Sequence, residues 1–282
     1  MTDQPVRYLA HTHWHADHVM ADAEYKDAFP GITILSTHFT RSKIATEPAA
    51  YRKDVAEKGP AAIERMRQLL AAGRRGDGTP PSEEDRRMLE AQARDYATVV
   101  SELAAARPVS PNLTFEGNLT VHLGRREVRL QFVGRGNTAG DTVVHVPDAR
   151  VVATGDLLVY PTPYGHGGYP GDWIATLRKL MAIDAAAIVP GHGPVMRDWS
   201  YAEKLIPLLE SVRSQARAAA EEGATLEETR RRVRLERFQK EFAGNDPARA
   251  RAFRSFFVEP IVERAYQEAK GAFSEEGTVR PT

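Results

Sequence analysis

Residues 11–18 read HTHWHADH, so four of the chain's nine histidines and one aspartate fall within eight residues. No other feature constrains the fold as much, because so many imidazoles must converge on something that uses them. The preceding PVRYLA, residues 5–10, carries Val6, Tyr8 and Leu9 in a short strand pattern. In an extended segment residues i and i+2 point the same way, so His13 and His15 present imidazoles to one point. After a turn, Asp17 and His18 face a second point nearby. Neutral imidazole and carboxylate are ordinary zinc ligands, with Zn–N at about 2.0–2.1 Å. Thr, Trp, Ala and Asp interrupt the histidines, which separates the stretch from an expression tag.

The rest of the composition narrows the chemistry. Cysteine is absent, so disulfides are excluded and any metal site must draw on His, Asp, Glu or Asn. Lys+Arg and Asp+Glu both number 38, and this balance argues against a nucleic-acid binder. No apolar run approaches the roughly 18 residues of a membrane span. MTDQPVRYLA is polar and lacks the apolar core of a signal peptide. The expectation is a small-molecule substrate, no nucleic acid and no membrane. The compartment expected as the chain is written is the cytoplasm, with the periplasm the alternative if a signal precedes it. Nothing in the sequence sets an oligomeric state.

T-H-x-H-x-D-H after a strand resembles the first metal motif of the metallo-β-lactamase fold superfamily. Three further segments occur in the family's order: GRGNTAGD (134–141), ATGDLL (153–158) and VPGHGPV (189–195), each after a β-rich run. The fold this resemblance implies is α/β, a four-layer αβ/βα sandwich. By resemblance, His13 and His15 match ligands of a first metal site, Asp17, His18 and His192 ligands of a second, and Asp156 a bridging carboxylate. The third ligand of the first site is a histidine in the family, and here it is Asn137. Asn137 is then a weak ligand, or is linked to the metal through water, or the first site is empty. Asp141, after the Thr-x-Gly turn, is a candidate to fix a ligand by a hydrogen bond, or else a turn cap.

The activity implied by the resemblance is hydrolysis by zinc-bound hydroxide of a small-molecule ester, thioester, lactone or lactam, with one or two Zn²⁺ ions. Asp17 would orient the nucleophile and serve the leaving group as the catalytic residue. Alternatives are a non-catalytic or one-metal relative, or an iron-dependent oxygenase of the same fold. Tyr164 and His166 lie in the Gly/Pro-rich loop PTPYGHGGYPGDW (161–173) and are candidate substrate contacts. His11 and His38 are expected at strand ends, and His122 and His145 as ordinary sheet residues.

The domain expected is residues 1–200 with a helical insertion at 47–106, followed by a helical extension at 201–272 and a tail at 273–282. Only twelve residues precede His13, whereas the family places several strands before this motif. A start codon placed too late, and a first sheet short of strands, are therefore expected. Residues 16–29 read as one helix stopped by Pro30-Gly31. In the insertion, Ile63, Met66, Leu69 and Leu70 mark one apolar face and Tyr96, Val99, Val100 and Leu103 another. RRGDGTPP (74–81) separates these two helices, and Ser82 with Asp85 reads as a capping box. Ser200 with Glu203 and Thr225 with Glu228 read as further capping boxes, Gly223 as a helix stop and Asp246-Pro247 as a helix start. ETRRRVRLER (228–237) reads as a solvated face, and AFRSFFVEPIVERAY (252–266) as core-packing.

Overall fold

The computed structural model describes residues 4–73 and 83–273. The expected break at 74–81, the Ser82–Asp85 capping pair and the tail from 274 on lie outside what is described. The strands are β1 Tyr8–Ala10, β2 Thr33–Thr37, β3 Leu113–Phe115, β4 Asn118–Leu123, β5 Arg126–Gln131, β6 Val143–Val146, β7 Val151–Val159 and β8 Ala187–His192. The helices are α1 Ala16–Val19, α2 Asp22–Ala28, α3 His38–Ile44, α4 Glu47–Ala72, α5 Glu83–Ala105, α6 Pro170–Leu180, α7 Ser200–Glu221, α8 Leu226–Arg232, α9 Glu236–Ala243, α10 Pro247–Ala252 and α11 Glu259–Ala269. A π-helical turn, Phe253–Val258, joins the last two. No helix among the described residues is long and apolar enough to cross a membrane.

Contacts divide the chain into two compact units. The larger takes Tyr8–Trp14, Thr33–Arg41 and the chain from Pro111 on. It holds both sheets. The first runs β1-β2-β3, all parallel, with Leu9 opposite Ile34 and Leu35 opposite Leu113. The second runs β4-β5-β6-β7-β8, an antiparallel meander until β8 pairs parallel to β7. Val152 and Ile188 face each other across that last pair, and both are fully buried. Helices α6, α7 and α11 cover them with Trp173, Leu177, Leu205, Leu209 and Ile261. Each such side chain contributes about 1.5–3 kcal/mol by leaving water. Leu35, Phe115 and Leu130 form a second cluster from strands of both sheets.

The smaller unit takes residues 4–7, His15–Ile32 and Ser42–Ser110. Here α4 and α5 form the expected hairpin, and at Gly59 the helices close on each other: a Cβ there would overlap the Val100 side chain. Val99 departs from expectation, being 43% exposed. Tyr96, Val100 and Leu103 follow i, i+4, i+7 spacing, which leaves Val99 at the rim of their face. The single helix expected over 16–29 is two, α1 and α2, parted at Met20-Ala21 with no glycine or proline to mark the break. The Ser200–Glu203 capping box is also absent. Trp199 is the N-cap of α7, and the Asp198 carboxylate accepts the Ser200 N–H at 2.9 Å instead. Thr225–Glu228 is a complete capping box, Gly223 follows α7 with φ of 81°, and Asp246 caps α10 ahead of Pro247.

Candidate metal centre

In the larger unit the chain leaves β1 at Ala10 and runs along β2, where the His11 N–H donates to the Leu35 carbonyl at 2.9 Å. Thr12 then fixes the next residues. Its carbonyl accepts the Thr142 N–H at 2.7 Å, and its side chain packs against Gly155. Its hydroxyl lies 3.0 Å from His13 Nδ1, which leaves Nε2 as the outward nitrogen of a fully buried ring. Gly155 has φ of 53°, and a Cβ there would collide with Thr12, so strand β7 and the His13 loop approach only because this residue is glycine.

Asp156 follows on β7, 4% exposed. Its two oxygens face different imidazoles: Oδ2 is 3.5 Å from His13 Nε2, and Oδ1 is 3.7 Å from His192 Nε2. His192 is the last residue of β8 and reaches Asp156 because β7 and β8 run parallel with an irregular register at that end. Gly191 makes the contact possible, since a Cβ there would fall inside the Asp156 carboxylate. The sequence did not single out Thr12 or Gly191. The T of the first motif and the first G of PGHG were their only signals.

Asn137 is fully buried. Its Nδ2 donates to the Tyr164 carbonyl at 3.0 Å, which sets the orientation of the amide, and Oδ1 has no hydrogen-bond partner. A buried amide oxygen left this way costs about 1–3 kcal/mol unless something satisfies it. The Asp141 carboxylate, also buried, accepts the Thr138 N–H at 3.0 and 3.1 Å and the Thr138 hydroxyl at 2.6 Å. It therefore caps the Thr138–Gly140 turn. Its carboxyl is raised to about 6, chiefly by burial and slightly by Asp156, against the lowering effect of His13 and of the Thr138 hydrogen bonds.

In the smaller unit, His15 is the N-cap residue of α1, and its carbonyl accepts the His18 N–H at 3.0 Å. This one turn brings His18 Nε2 to 3.3 Å from Asp17 Oδ2. His15 is buried, whereas Asp17 is exposed. Tyr51 of α4 is held above its ordinary pKa by burial first and then by Tyr96 and Asp17.

The weaker candidates fall as follows. The Tyr164 and His166 rings lie 5.0 Å apart in the loop after β7. Burial pushes His166 below its ordinary value. His38 is exposed at the start of α3, and His122 and His145 sit on β4 and β6.

The class this geometry defines is an α/β protein carrying His/Asp groups able to hold a metal ion, His13 and Asp156 in one and Asp17 and His18 in the other. The chain belongs to the metallo-beta-lactamase superfamily, whose family profile matches residues 2–192. It is 25% identical over 207 residues, 68% of its length, to a linear primary-alkylsulfatase of Pseudomonas sp. (strain ATCC 19151), and covers 35% of that protein. Its fold matches the stereoselective inverting sec-alkylsulfatase Pisa1 from Pseudomonas sp. with a TM-score of 0.61 at 14% identity, over 98% of this chain and 43% of that one. It also matches a metallo-beta-lactamase family protein from Thermus thermophilus with a TM-score of 0.54 at 18% identity, over 95% and 76%. The α/β sandwich expected from the motifs is thus the fold of this chain, which spans about a third of the curated relative's length.

Proposed function

We propose that the chain is a metal-dependent hydrolase of a small alkyl sulfate ester. The observation that carries the reading is Asp156, one buried carboxylate offering separate oxygens to His13 and His192 at 3.5 and 3.7 Å. An ion held beside either imidazole would have an Asp156 oxygen within reach. By the motif resemblance, His13, His15 and Asn137 would hold one ion, Asp17, His18 and His192 the other, and Asp156 would contribute to both. The orphaned Asn137 Oδ1 fits a ligand role, because a cation would satisfy it. Only Trp14 separates His13 from His15, so the chain itself keeps the two imidazoles within reach. The donor set is all nitrogen and oxygen, which suits zinc and, next, iron.

A bound divalent ion would lower the pKa of coordinated water from 15.7 to about 7 and draw negative charge from the sulfate oxygens. The chain's own groups do the rest. Asp17 would orient the attacking water, take its proton as the water oxygen bonds to the ester and the ester bond breaks, and pass that proton to the leaving group. Thr12 holds the His13 ring through Nδ1, and Asp141 holds the turn that carries Asn137. The motifs alone also allow a carboxylic ester, thioester, lactone or lactam. The sulfate ester is preferred because the aligned curated relative and the fold match over 98% of the chain are both alkylsulfatases.

The test is release of inorganic sulfate from octyl sulfate. The expected result is release that stops on chelation and returns with added zinc. No release by zinc-loaded protein contradicts the substrate.

A further inference from the structure

The π-helical turn Phe253–Val258 places its aromatic residues unevenly. Phe253 and Phe257 are 1% and 0% exposed, whereas Phe256 is 51% exposed. Phe253 stacks on Phe242 and Phe257, so the turn is anchored on both sides of the one ring it leaves bare. π-turns are rare and recur at functional sites.

This bare ring is wired to the candidate metal centre. The Gly165 N–H donates to the Phe256 carbonyl at 2.7 Å. A Cβ at Gly165 would lie 2.9 Å from the Phe257 carbonyl oxygen, so loop and turn touch backbone to backbone. The residue before Gly165 is Tyr164, whose carbonyl accepts the Asn137 amide at 3.0 Å. The Tyr164 ring sits 6.3 Å from Phe256 and 5.0 Å from His166. Three rings therefore stand together two hydrogen bonds from Asn137. Burial favours the uncharged form of His166.

We infer that Phe256, with Tyr164 and His166, is the subsite for the alkyl group of the substrate, an inference that rests on the sulfate-ester reading above. The polar head is taken by the histidine–aspartate centre, and the hydrocarbon lies along the rings. Each methylene buried there gains about threefold to fourfold in affinity.

The test uses non-hydrolysable probes, so that it does not depend on turnover. Binding of 1-butanesulfonate and 1-octanesulfonate to the zinc-loaded full chain is measured by calorimetry, with Phe256→Ala and Phe256→Leu beside wild type. The expected result is that wild type prefers octanesulfonate by more than about tenfold. Phe256→Ala cuts that preference below about threefold, with metal content unchanged, and Phe256→Leu keeps most of it. A preference unchanged in Phe256→Ala, or no preference in wild type, overturns the subsite. Failure of the hydrolase reading shows up separately, as absent sulfate release with the chain-length preference intact.

Discussion

In the function proposed above, Asn137 decides whether a first metal position is filled. Its nitrogen is committed to the Tyr164 carbonyl, so only Oδ1 is left to act as a ligand. An amide oxygen is a neutral and weaker donor than imidazole. Histidine at this place keeps an N–H for the same carbonyl and offers its second nitrogen to the ion, the arrangement that usually orients a metal-bound histidine. Asn137→His is therefore expected to raise zinc retained per chain after dialysis against weak chelator, and unchanged zinc would remove Asn137 from the centre. Resemblance to the family motifs singled out His13, Asp156 and His192 in the sequence, because each lies in a short contiguous motif on or just after a strand. The Asn137–Tyr164 bond was not readable. Its acceptor is a backbone carbonyl 27 residues away, and no side-chain pattern announces it.

Among the elements, the π-turn shows how a run of aromatics divides its work. AFRSFFVEPIVERAY reads as uniformly core-packing, yet one phenylalanine of three is bare, because that depends on a helical register that composition does not encode. Phe253→Ala is expected to cost about 3–5 kcal/mol of stability, whereas Phe256→Ala stays within about 0.5 kcal/mol. Denaturant unfolding monitored by circular dichroism separates them, and equal losses would contradict this division. Helix ends divide the same way. Thr225–Glu228 and Asp246-Pro247 were readable because the capping groups lie within three residues and have no competitor. Ser200–Glu203 misled because Asp198, just upstream, takes the Ser200 N–H. The break at Met20-Ala21 carried no residue signal at all.

Across the larger unit, topology gathers what sequence scatters. His13, Asp156 and His192 span 180 positions, and both imidazoles come within 3.7 Å of the one carboxylate. They do so because Thr12, beside His13, packs on Gly155 of β7, and β8 pairs parallel to β7 as far as His192. The order of the four motifs made the fold class readable. The register that puts Pro190 opposite Gly155 and His192 opposite Val159 was not, since it depends on irregularities in the β7–β8 pairing. In the proposed function Asp156 serves two metal ions, so its loss should remove at least one. The measurement that tests it most directly is metal per folded chain by elemental mass spectrometry, for zinc-loaded wild type and Asp156→Ala side by side, with circular dichroism to show that both fold. Two zinc ions are expected in wild type and at most one in Asp156→Ala. Equal metal content in the two folded proteins would contradict it.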